Sequence, residues 1–273
     1  MRPQEEKLFV LIDPRDDRPC ALHRAIAWAK LHTPAPVISI AMACNANRPN
    51  SEGLKHFVRG QEWMDREVFG PLTAAGLRYE CAFVWRSRWP DVGLEAAEAS
   101  QAGMMFMPSH EQAAANPVLQ RGRWSFLGYS PCPLMLVRGA SDQRKRSTVA
   151  VAVNFQARRT EQIELNKRIL GYGMREASLH GAELHVINAY LDSMHYPDRG
   201  RLVRETGLPP KQVHIWPGYT DKVVSEAARE FDIDLLVMGT INQRGGQGSV
   251  RRGNTTARVL AALNPAVDVL VVS

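Results

Sequence analysis

The order of short apolar runs and amphipathic stretches in the first half of the chain recurs in the second half. Each half begins with an apolar run, residues 8–12 or 148–153, that ends at a polar residue, Asp13 or Asn154. Further runs, each too short for a helix, follow at intervals that carry helical patterns. These runs are residues 37–43, 79–85, 104–107 and 134–137 in the first half, and 183–188, 212–216, 235–238 and 267–272 in the second. Corresponding runs lie roughly 130–145 residues apart, which predicts an internal duplication.

Strands that alternate with helices favour right-handed β–α–β units and a parallel sheet covered on both faces. We therefore predict an α/β fold of two tandem doubly wound domains, each with five parallel strands in the order 3-2-1-4-5. That order brings the loops after strands one and four to one switch point, where such folds bind ligands. Residues 54–75 and 161–180 carry long helical patterns, and 190–207 indicates an irregular crossover.

The segment 139–147 is polar, charged and short, which is typical of a domain boundary. It divides the chain into a first domain of residues 1–140 and a second domain of residues 147–273. Its basic cluster at residues 144–146 resembles other clusters in a chain of net charge +6. Because no aromatic residues are interleaved with these clusters, we interpret them as a solvated basic face and do not expect nucleic acid as a partner.

Composition also bears on membrane contact and compartment. No apolar run approaches the ~18 residues that a membrane span requires, so we predict a soluble protein without a membrane partner. The cysteines lie far apart without a CxxC pair, which indicates free thiols in a reducing cytoplasm rather than a zinc site. They are Cys20, Cys44, Cys81 and Cys132.

One stretch of the second half combines a buried strand, a glycine-rich loop and the start of a helix. The apolar run before Gly239 leads into a loop that ends at Gly253, and Asn254 or Thr255 can cap the next helix. Such an arrangement points backbone N–H groups at an anion, although a mobile surface loop would show the same composition. The P-loop lysine and the third glycine of GxGxxG are both missing, so neither of those motifs is present.

Several fragments carry a family resemblance through their order and spacing. They are Leu11-Ile-Asp-Pro14, Val84-Trp-Arg-Ser-Arg88, Val151-Ala-Val-Asn154 and Gly253-Asn-Thr255. Over nearly the whole chain they resemble the universal stress protein family, most closely its two-domain E-type members. The resemblance implies a stress-response protein with an ATP loop of the form Gly-x-x-Gly, nine residues, then Gly-Ser/Thr.

Carried onto this sequence, the resemblance places an ATP site in the second domain. The implied ATP-binding residues are Asn154, Val186, Gly239, Thr240, Gly245, Gly253, Asn254 and Thr255. Asn154 and Val186 would line the adenine end, and N–H groups near Gly253 would meet the phosphates. Asn242 replaces the family's second glycine and the loop is one residue longer, so we expect weak or remodelled binding. The cofactor would be ATP or another adenine nucleotide, with Mg²⁺ bound only together with it and no separate metal site.

The first domain matches the family less well. Asp13 stands at the position of the family's nucleotide-site aspartate and is a weaker site candidate. The loop after strand four begins Pro108-Ser-His-Glu111 and lacks the glycine pattern. Because proline offers no N–H, this loop is a poor phosphate cradle. An aspartate that caps the following helix remains the alternative interpretation of Asp13.

Three functional classes remain open. The first is a stress-response protein that binds an adenine nucleotide in its second domain, with at most weak ATP hydrolysis. The second is a tandem scaffold with a decayed nucleotide site that binds a protein partner or an apolar ligand. The third is an enzyme that hydrolyses a nucleotide or transfers a group from it, which needs a general base and a metal carboxylate near the loop. We identify neither in the second domain and predict no catalytic residues.

Two further expectations concern histidines and assembly. His185 and His214 can be neighbours on adjacent strands, where a satisfied or half-buried histidine is favoured over a metal ligand. By resemblance, single-copy family members pair through their last strands about a two-fold axis. The matching runs 134–137 and 267–272 would otherwise leave apolar sheet edges exposed. We therefore predict an intramolecular pseudo-dimer that is a monomer or a weak homodimer in solution.

Overall fold

The structure of the protein, a computed structural model, describes residues 6–13, 16–44, 60–85, 89–109, 125–138, 146–192, 194, 196–240 and 254–273. The chain forms two compact units. The first unit contains the described residues up to 109 together with 130–138, and the second contains 125–129 and all those from 146 onward. Since residues 125–129 group with the second unit, the domain limits 1–140 and 147–273 stay a prediction.

The first unit is a parallel sheet with helices packed against it. Its strands are β1 (Lys7–Ile12), β2 (Val37–Cys44), β3 (Tyr79–Trp85), β4 (Met104–Pro108) and β5 (Leu134–Val137). Its helices are α1 (Cys20–Ala29), α2 (Gln61–Met64), α3 (Gly70–Ala74) and α4 (Trp89–Ser100). The strands lie in the order β3-β2-β1-β4-β5, and each pair of neighbours is parallel.

The second unit repeats this arrangement. Its strands are β6 (Thr148–Val153), β7 (Glu183–Tyr190), β8 (Val213–Pro217), β9 (Leu235–Gly239) and β10 (Asp268–Val272). Its helices are α5 (Thr160–His180), α6 (Arg199–Thr206), α7 (Thr220–Glu230) and α8 (Asn254–Ala262). The order β8-β7-β6-β9-β10 is again parallel throughout. The predicted α/β class and the strand order 3-2-1-4-5 are therefore confirmed.

Burial explains why the strands were recognisable from the sequence. Val149, Ala150 and Val151 of β6 are fully buried although they alternate between the two faces of the sheet. A strand covered on both faces appears as an unbroken apolar run, as in other parallel sheets. No helix among the described residues has both the length and the hydropathy that a membrane crossing needs.

Two helical segments differ from the sequence prediction. Between α2 and α3 the chain forms a π-helical turn, Asp65–Phe69, within the stretch predicted as one continuous helix. Pro71 follows this turn and has no N–H to donate to a carbonyl of the preceding turn, which disfavours regular α-helical bonding there. In the crossover predicted as irregular, α6 begins after Asp198, whose Oδ1 accepts from the backbone N–H of Arg201 at 3.0 Å. It ends at Gly207 in the left-handed conformation, so both helix signals were present in the sequence.

The register of the second sheet brings three chain segments to one edge. Val153 of β6 pairs with Asn188 of β7, and Ala152 pairs with Met238 of β9. Asn154 and Gly239 follow directly, so the carboxyl ends of β6, β7 and β9 lie side by side. This edge is where a doubly wound sheet binds its ligands.

Candidate functional site

A cavity of about 520 Å³ lies at this edge of the second unit. Its walls come from the ends of β6, β7 and β9, from one face of α5, and from the first turns of α7 and α8. The volume falls within the range of small-molecule sites, about 300–1,000 Å³. The cavity therefore has the size and the position of a ligand site.

Half of the predicted ATP-binding residues line this cavity. They are Asn154, Gly239, Thr240 and Thr255. Val186 is fully buried in the middle of β7, and the β7 residues that line the cavity instead include Ile187 and Ala189. Asn254 is the first residue of α8. Gly245 and Gly253 lie outside the described residues.

A buried side chain of α5, Asn166, bonds to the turn after β6. Asn166 accepts from the backbone N–H of Asn154 through Oδ1 at 3.1 Å and donates through Nδ2 to the Asn154 carbonyl at 2.6 Å. Both bonds use the backbone of Asn154, whose exposed side chain lies at the cavity wall. The turn is therefore fixed independently of the side chain at position 154.

The end of β7 is fixed by a second buried amide. Asn188, which is fully buried, accepts from the backbone N–H of Phe155 through Oδ1 at 2.7 Å. Gln156 donates through Nε2 to the Ala189 carbonyl at 3.1 Å. These amides join the β6 turn to β7, so the wall formed by Gln156 and Ala189 is preorganised. Sequence reasoning overlooked them because their partners are backbone groups about 30 positions away in the chain.

Gly239 is required by close packing between β9 and α5. A Cβ atom at this position would lie 2.8 Å from side-chain atoms of Leu165 and Ile169, which also line the cavity. We expected Gly239 to let the chain pass close to a ribose. The missing side chain also makes room for α5, and the ribose contact stays a prediction.

The N-terminal ends of α7 and α8 form another part of the cavity wall. Tyr219 and Thr220 at the start of α7 line it, as do Thr255 and Arg258 in the first turns of α8. The N-terminus of α7 has no side-chain cap, so its first N–H groups are not satisfied by a capping side chain. Helix N-termini carry partial positive charge, and this wall therefore favours anionic groups. Arg258 could have been identified from its spacing, since it lies three residues after Thr255 on the same helix.

In the first unit, Asp13 follows β1 and is buried. Its carbonyl accepts from the backbone N–H of Asp16 at 3.1 Å, which closes a turn before α1. Ser109, the last described residue after β4, donates its backbone N–H to Val137 of β5. Ligand binding at Asp13 stays a prediction.

His185 and His214 form a pair away from the cavity lining. His185 Nδ1 and His214 Nε2 lie 2.9 Å apart, and both rings stack on Phe231 at 4.8 and 4.2 Å between centroids. Among the described residues, no group of three or more metal-type side chains is assembled. Burial lowers the pKa of His214 to about 4, and the neighbouring His185 and Arg199 also lower it. Burial lowers the pKa of His185 as well, against the raising effect of Glu183.

Acid should destabilise the protein through His214. The folded state holds the pKa of His214 at about 4, below the ordinary histidine value of 6.5, so the unfolded state binds the proton more readily below pH 6.5. The contribution that neutral His214 makes to the free energy of unfolding is present above pH 6.5 and is lost as the pH falls towards 4. At pH 5 the loss should be about 1–2 kcal/mol after allowance for partial solvent screening.

The measurement compares urea unfolding of wild type and His214→Phe at pH 7.5 and pH 5. Phenylalanine keeps an aromatic ring beside Phe231, so the variant should lose about 1–2 kcal/mol less than wild type between these pH values. Between pH 7.5 and 8.5 the difference between the two proteins should stay constant. An identical acid sensitivity of both proteins would contradict the assignment of this effect to His214.

Comparisons with other sequences show similarity to universal stress proteins. The family model described as the universal stress protein family matches residues 197–273. Universal stress protein E homolog of Haemophilus influenzae is 22% identical over 205 residues, which cover 66% of this chain and 66% of that protein. Universal stress protein E of Photorhabdus laumondii is 22% identical over 303 residues, which cover 98% of this chain and 94% of that protein.

Solved structures agree with this fold over both units. A functionally unknown protein from Pseudomonas aeruginosa PAO1 gives a TM-score of 0.74 at 21% identity, covering 98% of this chain and 92% of that chain. A universal stress protein from Archaeoglobus fulgidus gives a TM-score of 0.67 at 19% identity, covering 97% and 96%. The sequence similarity to the Photorhabdus laumondii protein extends across both repeats. Residues 197–273 thus match the universal stress protein family, and the chain is similar over nearly its whole length to a protein described as universal stress protein E.

Proposed function

We propose that the chain is a stress-response protein that binds an adenine nucleotide, such as ATP, in the cavity of its second unit. One observation carries the proposal. Asn154, Gly239 and Thr255 come from three separate chain segments that the family resemblance singled out, and all three line one cavity. The family resemblance and the cavity geometry favour the same site.

The chemistry of the cavity wall matches the two ends of a nucleotide. One part is apolar and suits a base, with Leu165, Ile169 and Ile187 among its residues. The other part presents the starts of α7 and α8 and the guanidinium of Arg258, which suit phosphates. The nucleotide would then lie across the edge of the sheet, with its base towards α5 and its phosphates towards α8.

The proposal includes at most weak hydrolysis of the nucleotide. Metal-assisted hydrolysis needs both a carboxylate for the metal and a general base that activates water. Asp192 contributes a carboxylate to the described lining, and its Oδ1 accepts from the backbone N–H of Met194 at 2.9 Å. Mg²⁺ would enter only with the nucleotide.

Calorimetric titration of ATP, AMP and adenosine tests this assignment. We expect wild type to bind ATP with a dissociation constant on the order of micromolar. Thr255→Glu places a negative charge at the phosphate end, and like charges about 4 Å apart repel by a few kcal/mol near a protein surface. The variant should therefore bind ATP about tenfold more weakly or worse, while adenosine affinity stays within about twofold. Glutamate in a first helical turn favours the helix, so α8 should not be destabilised.

Ala261→Glu is the matched control. Ala261 is exposed on the same helix but is not a cavity-lining residue, so it receives the same charge away from the ligand. We expect this variant to bind ATP like wild type. Equal losses of ATP affinity in the two variants would show that the phosphates do not bind at α8. The absence of heat with every ligand would contradict nucleotide binding.

A second candidate function is a scaffold that binds a protein partner or an apolar ligand. Leu191, which lines the cavity, is 70% exposed, and Met194 beyond it is 89% exposed. Exposed apolar side chains beside a cavity are a feature of interaction surfaces. This function becomes the favoured one if no nucleotide binds.

The predicted pseudo-dimer stays a prediction, and light scattering measures whether the chain is a monomer or a weak homodimer.

A further inference from the structure

Arg258 of α8 and Asp221 of α7 meet beside the cavity. Arg258 lines the cavity, and its Nη2 lies 3.8 Å from Oδ1 of Asp221. The side chains are 47% and 23% exposed, respectively. The ion pair thus joins the first turn of α7 to the second turn of α8, and the N-termini of these two helices face the proposed phosphate end.

The geometry of this ion pair is loose. Asp221 Oδ1 is itself buried and makes no hydrogen bond, so the guanidinium approaches it without a directed contact. Ion pairs at this exposure are weak, because solvent screens them and two side chains must be ordered. A phosphate can accept two parallel N–H bonds from an arginine, and such charge-assisted bonds are stronger. A phosphate at the cavity wall would therefore compete well against Asp221 for Arg258.

The carboxylate of Asp221 also has a direct electrostatic effect. It places a negative charge beside the positive ends of α7 and α8, where a phosphate would lie. The Asp221 carboxylate would therefore repel a ligand more strongly, the more phosphate charge that ligand carries. Asp221 thus opposes the attraction that Arg258 and the two helices exert.

We propose that Arg258 is the phosphate-contacting residue of the nucleotide site and that Asp221, by pairing with it, tunes how strongly the site prefers ligands with more phosphates. This proposal rests on the proposed function, because it assigns the phosphate end of that same cavity. It makes Arg258 a binding residue and Asp221 a specificity-determining residue.

The test is calorimetric titration of adenosine, AMP, ATP and inorganic tripolyphosphate into four proteins. These are wild type, Arg258→Gln, Asp221→Asn and the double variant, each checked for folding by thermal denaturation. Arg258→Gln should weaken ATP binding about tenfold or more and AMP binding less, with adenosine unchanged within about twofold. It should also abolish tripolyphosphate binding. Asp221→Asn should strengthen ATP binding a fewfold, and the gain should be smaller in the Arg258→Gln background.

Arg229→Gln supplies the matched control, since Arg229 is an exposed arginine of α7 that is not a cavity-lining residue. It should leave all four affinities unchanged. If wild type binds ATP but Arg258→Gln binds it equally well, or loses adenosine and ATP equally, this inference is overturned while the proposed function stands. If wild type binds neither nucleotide nor tripolyphosphate, both are overturned. Binding of tripolyphosphate without any nucleotide, lost in Arg258→Gln, would keep the phosphate site and reject the nucleotide assignment.

Discussion

Replacing Arg146 with methionine is expected to lower the free energy of unfolding of the second unit by about 3–5 kcal/mol. Arg146 is almost fully buried, and its Nη1 and Nη2 donate to Glu176 at 3.2 Å and to Asp268 at 3.1 Å. Both carboxylates are buried as well. Removing the guanidinium takes away the cation to which both buried carboxylates bond. Removing the partner of a buried charge is among the most destabilising substitutions in proteins.

Two further substitutions separate this cause from a general loss of packing. Asp268→Asn keeps the shape of the side chain and leaves the ion pair of Arg146 with Glu176. It should therefore lower the free energy of unfolding by less, about 1–3 kcal/mol. Arg201→Met breaks an exposed ion pair, in which Arg201 Nε lies 2.6 Å from Glu205 Oε1, and should cost under about 1 kcal/mol. Urea unfolding followed by circular dichroism gives the three values. A loss in Arg146→Met no larger than that in Arg201→Met would show that the buried charges are not coupled to stability.

Arg146 also shows where the sequence prediction failed. Its place in a basic cluster suggested a solvated face, yet its side chain is 3% exposed. Its partners lie 30 and 122 positions away in the chain. Local composition describes the neighbours along the chain, but burial of a charge depends on partners that only the tertiary fold supplies.

The strands and their order were predictable because the signal is local. In β9 and β10, as in β6, burial on both faces yields short apolar runs, and β–α–β handedness then limits the topology. The ends of β6 and β9 were therefore identifiable as site edges. The role of the Asn166 amide was not, because it bonds the backbone of Asn154 only where α5 packs against β6 in the folded chain.

Helix α5 contains two glycines that should respond in opposite ways to the same substitution. Gly171 is exposed, and a Cβ atom there would meet no atom within 4 Å. Gly173 lies on the buried face, and a Cβ atom there would overlap Cγ1 of Val151 and lie 3.5 Å from Cδ1 of Leu184. Val151 is fully buried and pairs with Val186 on one side and Val237 on the other, so it has little room to move.

Helix propensity alone predicts that Gly→Ala within α5 stabilises the protein by about 0.5–1 kcal/mol. We expect this gain at Gly171. At Gly173 the overlap forces a shift of Val151 or of the whole helix, and overpacking of a core costs about 1–3 kcal/mol. Gly173→Ala should therefore destabilise the protein despite the better helix former, and the two variants should differ by about 2–4 kcal/mol in urea unfolding. Because both sites lie on one helix and receive the same methyl group, the difference isolates the contact between α5 and β6. Stabilisation by both substitutions would mean that this contact is looser than the packing of Val151 indicates.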